Sequence, residues 1–329
     1  MRHRTIASSA LAATLTAFTH NALPQSAAEW PARPVTIIVP VPPGSSTDLE
    51  ARMYAQKLGE VMAGKTFLVD YKPGAGTTIG SGYVAKAAPD GYTTLLMSPS
   101  TLVSPLAYPN LPFDPVKDFA PVSLMSKRPS LLLAHPGLPA QNLREFLVYA
   151  KANQDKINIG TAGAGSVGHL SVEWLYGVSG IKPTFVHYKG GAPAVAALMA
   201  GQIHSTLASP GAVLPLVKAG KLKILAVTTT ERIKPLPDVP TAAESGAPFW
   251  EYAQWLGFVV PAATPPAIVN RFSGELARVA KAPEVAQKFA GDGMLMYGNT
   301  PAEFRQYIAA ESARWTKLVQ DTGVKLSAD

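Results

Sequence analysis

The chain has 329 residues, 47% of them hydrophobic and 16% charged, with a formal net charge of +7. That composition excludes disorder and is large enough for two sizeable cores. There is no cysteine, which excludes disulfides, thiolate metal sites, cysteine nucleophiles and a lipid-modified N-terminal cysteine. Residues 1–28 read as a secretory signal, with Arg2 and Arg4 at the start, a small apolar stretch over Ile6–Phe18, and Ser26, Ala27 and Ala28 near a cleavage point for which Ala22 is a rival. The apolar stretch falls short of the ~20 residues a membrane span requires, so export to the periplasm is expected. Without Arg2 and Arg4 the charge is about +5 and thinly spread. No Lys/Arg cluster is interleaved with aromatics, so nucleic acid is not an expected partner.

Val35–Pro40 reads as a buried strand. Val41–Asp48, rich in Pro, Gly and hydroxyls, leads from it to a helix over Leu49–Met62, with Thr47 or Asp48 as N-cap. Gly44, Ser45, Ser46 and Thr47 fit either a capped helix start or an anion cradle. Thr66–Tyr71 is a second strand, running through the glycine-rich Pro73–Gly80 turn into a helix over Ile79–Ala87. Thr94–Ser98 is a third, with Ser98, Ser100 and Thr101 at its carboxyl end. Pro105–Val122 reads as irregular. Ser130–His135 is a strand crossing to a second lobe, followed by a helix over Leu143–Lys151.

The most informative stretch is Ile157–Glu173: a β-branched run, a glycine-rich turn, then Leu170, Trp174 and Leu175 at helical spacing. Such a strand-loop-helix junction aims backbone N–H groups and a helix's positive end at one point, which suits an anion. Strands over Thr184–Tyr188, Ile203–Ala208 and Ile224–Thr229 alternate with helices over Ala192–Ala200 and Val213–Ala219. After a Pro-rich loop, Trp255–Val260 returns to the first lobe, and helices follow over Pro266–Ala280, Pro283–Ala290 and Pro301–Thr322. The last carries Phe304, Ile308, Trp315 and Val319 on one side, for packing on a sheet. The alternation predicts α/β architecture, each lobe a mostly parallel sheet flanked by helices, with ligands beyond the carboxyl ends of the strands. The expected division is lobe 1 over 29–130 plus 255–329 and lobe 2 over 131–254.

Catalytic signatures fail on inspection. Gly163, Gly165 and Gly168 fit GxGxxG, but the next strand ends at Lys189 with no acid for a ribose. Ser166 misses a nucleophile elbow because Ala164 stands where glycine is needed. His135, His187 and His204 lie on or beside strands in structural roles, whereas His169 is close enough to the loop to touch a ligand. Asp48 reads as ordering its loop rather than as a base. No carboxylate pair suits a glycosidase, and neither cofactor nor metal is expected.

Seven segments in order resemble one family. They are Trp30–Pro40; Pro73–Gly76 with Ile79 and Gly80; Ala88–Thr93; Tyr188–Pro193; Ala219–Leu222; Leu236–Thr241 with Glu244–Gly246; and Trp255, Gly257, Pro261, Ala262, Thr264 and Pro265. From about Trp30 onward the chain resembles the Bug-type extracytoplasmic solute receptors of tripartite tricarboxylate transporters. The resemblance implies a two-lobe periplasmic binding fold (type II-like) that closes on a ligand carboxylate, acts as a monomer and docks on the membrane subunits of such a transporter. By position it implies a first loop of Val41, Pro42, Gly44, Ser45, Ser46 and Thr47, supported by Gly76, Thr77, Thr78 and Ser100. The second loop is Thr161, Gly165 and Ser166, with Val167 and His169 behind it and Pro210 nearby.

Five positions depart from the family pattern. Ser45 and Ser46 stand where a Gly-Gly pair is usual, Thr77 where a third glycine is common, and His204 and Ala208 where acids are usual. Added hydroxyls and lost acids suit an anion with a second polar group better than an amino acid or amide. The expected ligand is a carboxylate, in particular a dicarboxylate, aliphatic or aromatic such as terephthalate. A sensor acting on a membrane receptor and an exported hydrolase are the alternatives.

Overall fold

The computed structural model describes residues 29–108, 110–164 and 166–322. The expected signal over 1–28 and the candidate contact Gly165 lie outside them. The first unit begins with β1 (Val35–Val39), α1 (Ser46–Val61), β2 (Phe67–Tyr71), α2 (Thr78–Ala85), β3 (Thr93–Met97), α3 (Pro99–Ala107) and β4 (Phe119–Pro129). The chain then crosses into β5 (Leu131–Ala134), α4 (Leu143–Ala152), β6 (Asn158–Thr161), α5 (Val167–Val178), β7 (Thr184–His187), α6 (Gly191–Met199), β8 (Ser205–Ala208), α7 (Pro210–Lys218) and β9 (Lys223–Val227). It returns with β10 (Ala253–Pro261), α8 (Pro266–Ala280), α9 (Pro283–Phe289), β11 (Leu295–Met296) and α10 (Pro301–Thr322).

Two sheets result, in the orders β11-β4-β10-β3-β1-β2 and β7-β6-β8-β5-β9. Each is mixed. The parallel pairing expected from strand-helix alternation holds for β2-β1-β3 and for β7-β6-β8. The returning β10 pairs antiparallel with β3 and β4, and β5 pairs antiparallel with β8 and β9. β1 is apolar on both faces, as a central parallel strand must be, while β2 alternates as an edge strand. Apolar cores fill both faces of each sheet.

Two elements overlap the ends of the region read as irregular. The α3 helix carries Pro99 in its first turn, where a missing N–H costs nothing, and Pro105 near its end. The β4 strand contains Pro121, which the ladder accommodates because the register with β10 shifts between Phe258 and Val259. Prolines hid both elements from a periodicity argument. In α10, Phe304 and Ile308 pack on the first sheet, over Gly257, where a Cβ would lie 2.2 Å from the Phe304 ring. Further along, Trp315 and Leu318 leave that sheet and pack with Val167 and Leu170 of α5 and Val103 of α3. One helix thus ties the two sheets together.

The crossings between sheets are tied by Thr228. Its Oγ1 accepts from the Ser130 N–H at 3.0 Å and donates to the Tyr252 carbonyl. Its backbone N–H donates to the Ser130 carbonyl at 3.0 Å, and its carbonyl accepts from Tyr252 N–H at 2.9 Å. Both crossing segments are therefore held at fixed separation by one buried residue.

The first loop is ordered by Asp48, buried to 3% exposure. Its carboxylate accepts from the Gly44 N–H (2.8 Å), Arg52 Nε (2.7 Å) and the Tyr71 hydroxyl (2.6 Å). Gly44 takes φ +82°, a conformation glycine adopts without strain. The Tyr71 hydroxyl first, then the Gly44 N–H, holds the Asp48 carboxyl below its ordinary value of 3.8.

Thr228→Val keeps the shape but leaves the Ser130 N–H and Tyr252 carbonyl without this partner. It should cost about 1–3 kcal/mol in urea unfolding, and unchanged stability would contradict this tie between the crossings. Asp48→Asn should cost about 1.5–3 kcal/mol at pH 7. Because the folded value is depressed, the wild-type carboxylate contributes fully above pH 3.8 and loses that contribution as pH falls through the folded value. The stability gap between wild type and Asp48→Asn should therefore narrow in acid, and a gap that widens would be wrong for this carboxylate.

Candidate functional site

A cavity of about 400 Å³ opens between the two sheets. Five helices begin at its wall: α1 at Ser46, α3 at Ser100, α5 at Ser166 and Val167, α6 at Gly191 and α7 at Ser209. The cause is topological. Each of these helices follows a strand whose carboxyl end points to the space between the sheets, where α/β ligands bind. The first-turn N–H groups of a helix have no intrahelical partner, and its positive dipole end points the same way. Five such ends at one cavity make an environment for negative charge.

Two loops supply the most direct donors. At α1 the N-cap is Ser45, not Thr47 or Asp48, and its Oγ accepts from the Asp48 N–H at 3.2 Å. Among the described residues no hydrogen bond is made by the N–H groups of Ser46 or Thr47. At α5 the N-cap is Ser166, whose Oγ accepts from the His169 N–H at 3.2 Å. A hydroxyl that accepts at a cap keeps its own proton for a further partner. Thr161 lines the cavity beside it, with Oγ1 2.7 Å from His187 Nδ1. Among the candidate contacts, Ser46, Ser100, Thr161, Ser166 and Val167 line this wall.

The side chains of the others do not line it, each for a local reason. Val41 packs on the first core, Pro42 and Gly44 are exposed, and the Gly44 N–H is bound to Asp48. Ser45 accepts at the cap without lining the cavity, and Thr47 is half-buried in the same turn. Gly76 is exposed near Tyr108. Thr77 turns inward at φ +81°, its hydroxyl 3.2 Å from that of Thr101, and so supports α3 from behind. Thr78 opens α2, and Pro210 is buried in the first turn of α7. His169 contributes its N–H to the Ser166 cap. Its ring is buried edge-on to His187 and Phe185, at 4.6 and 5.3 Å between centroids, with Nε2 3.3 Å from Glu173.

Sequence reasoning missed the part of the wall contributed by the crossings. Arg128, Ser130, Tyr252 and Gln254 line the cavity. The signal for them lay in β4, which was not recognised as a strand, and in the return crossing just before Trp255. Burial pushes the Tyr252 hydroxyl up to about 12, so it stays protonated, and it accepts from Gln254 Nε2. Arg128 forms an ion pair with Glu50 of α1, itself only 1% exposed. Burial pushes the Glu50 carboxyl upward, against Arg128, Ser126 and Tyr54, which all favour its charged form. Among the described residues no group of three or more His, Asp or Glu side chains is placed to hold a metal. The polar groups at the wall are hydroxyls, amides and one guanidinium, and their arrangement can grip an anion.

Comparison with known proteins agrees with this geometry. Residues 51–324 match the model of the tripartite tricarboxylate transporter family receptor. The chain is 34% identical to protein BugT of Bordetella pertussis over 93% of this chain and 94% of that protein. An R. palustris protein solved with adipate superposes with a TM-score of 0.77 at 35% identity, over 90% of this chain and 99% of that one. MatC from Rhodopseudomonas palustris, solved with bound malate, gives 0.73 at 32%, over 88% and 100%. The chain belongs to the receptors of the tripartite tricarboxylate transporter family, periplasmic solute-binding proteins rather than enzymes.

Proposed function

We propose that this receptor captures a small dicarboxylate, aliphatic or aromatic as in terephthalate, and delivers it to the membrane subunits of a tripartite tricarboxylate transporter. The observation that carries this reading is the convergence of five helix starts on one cavity whose nearest side chains are hydroxyls. One carboxylate sits between α1 and α5, taking the free N–H groups of Ser46 and Thr47, those of Val167 and Gly168, and the hydroxyl of Ser166. Lobe 1 comprises residues 29–130 plus 255–329 and lobe 2 residues 131–254, and the chain acts as a monomer. Export to the periplasm is supported by the signal-like composition of residues 1–28. That relatives of similar length were solved with adipate and with malate supports a dicarboxylate as the ligand class. A cavity of about 400 Å³ is within the ordinary range for a small-molecule site.

A thermal-shift screen of mono-, di- and tricarboxylates should find a dicarboxylate that stabilises the receptor by about 2.7 kcal/mol at a hundred times its dissociation constant. Its mono-ester should do markedly less. A screen in which no carboxylate shifts the melting temperature would overturn the assignment. Ser166→Ala should weaken binding by about 1–3 kcal/mol through loss of a donor to a buried carboxylate. It should also cost about 1 kcal/mol of stability through loss of the α5 cap. Calorimetric titration and urea unfolding separate the two effects, and unchanged affinity would remove Ser166 from the site.

A further inference from the structure

Arg128 stands at the end of β4, opposite Gln254 of β10 in the ladder, where the chain crosses between the sheets. Its side chain is 12% exposed and borders the cavity. One corner of the guanidinium, Nη2, is bound to Oε1 of Glu50. The other Glu50 oxygen is already served by the Ser126 hydroxyl at 2.6 Å and approached by the Tyr54 hydroxyl at 3.2 Å. Glu50 therefore fixes the orientation of Arg128 from behind, as a carboxylate locked into α1.

The rest of the guanidinium is not used by the protein. Arginine presents five N–H donors in a rigid fork. Nε of Arg128 is buried with no hydrogen-bond partner, and Nη1 makes no hydrogen bond to a described residue. An unpaired buried donor on a cation is costly, more so than a neutral one. Nη1 and the second N–H of Nη2 share one edge of the planar fork, and such an edge matches a carboxylate, which can accept two parallel hydrogen bonds.

We propose that Arg128, oriented by Glu50, receives the second carboxylate of the ligand and sets the preference of this receptor for dianions over monoanions. The proposal rests on the function proposed above and adds what distinguishes the two ends of the ligand. The first carboxylate takes backbone N–H groups and hydroxyls at the helix starts. The second takes a guanidinium at the crossings, so one ligand spans the helix starts and the crossings. Loss of this contact acts on one end only, which gives the proposal a readout that a purely structural role would not move.

The test is calorimetric titration of the purified receptor with adipate, malate and terephthalate, each beside its monomethyl ester. Wild type should bind at least one diacid about 10–100-fold more tightly than its mono-ester, the range for a charge-assisted pair. In Arg128→Gln the affinity for that diacid should fall by about that factor while the mono-ester changes by less than about threefold, so the preference collapses. Because the single variant leaves Glu50 buried without its cation, the double variant Glu50→Gln/Arg128→Gln is measured in parallel, with circular dichroism to check the fold. It should show the same collapse. A folded double variant that keeps the wild-type preference for the diacid overturns the role of Arg128 and leaves the proposed function standing. A wild type that binds none of the three diacids overturns both.

Discussion

A helix leaves the N–H groups of its first turn without partners inside the helix. In this protein that constraint is gathered at one place, since α1, α3, α5, α6 and α7 all begin at the wall of one cavity. Each end carries roughly half a positive charge, and none of the five has an acidic side chain at the wall to cancel it. Asp48, the acid in the first turn of α1, is turned back onto Gly44, Arg52 and Tyr71. Its charge is spent on ordering the loop, and the free N–H groups of Ser46 and Thr47 remain for a guest. The helix starts thus favour negative charge at this wall.

The same accounting separates binding from catalysis. The serines that might look reactive serve as caps, each accepting one hydrogen bond: Ser45 from Asp48, and Ser166 from His169. His169 is buried against two aromatic rings with Glu173 at its Nε2, and His187 is held by Thr161. Among the described residues neither capping serine has a base hydrogen-bonded to its hydroxyl, and the His187 ring is taken up by Thr161 instead. What the wall does have is rigidity. Thr228 fixes the two crossings, and the α10 contact through Trp315 and Leu318 joins the second sheet to the first. A receptor that must recognise one anion gains from donors held in place before the ligand arrives.

Much of this was legible in the chain itself, where local chemistry decides the outcome. Strand-loop-helix junctions around Gly44 and Ser166 could be read from β-branched runs, turn residues and helical spacing, and both form. The individual contacts were less legible. Which hydroxyl caps and which faces the ligand depends on a single residue of register at the helix start, so Ser45 took the cap expected of Thr47 or Asp48. Thr77 was expected at the ligand, but its left-handed backbone turns the hydroxyl toward Thr101. Arg128 could not be found from local pattern at all. It lies on a strand disguised by Pro121 and Pro129, and its role comes from Glu50, 78 residues away along the chain. The mixed pairing of both sheets was hidden for the same reason, because antiparallel return strands are fixed by tertiary contacts rather than by local alternation.

In the proposed site, backbone N–H groups at helix starts, rather than side-chain charges alone, hold the ligand's first carboxylate. This is tested most directly by amide chemical shifts. In a transverse-relaxation-optimised spectrum of the labelled receptor, titration with the diacid that binds should move the amide protons of Ser46, Thr47, Val167 and Gly168 downfield together, with a common dissociation constant. Saturable binding that leaves those four amides where they were would contradict the account.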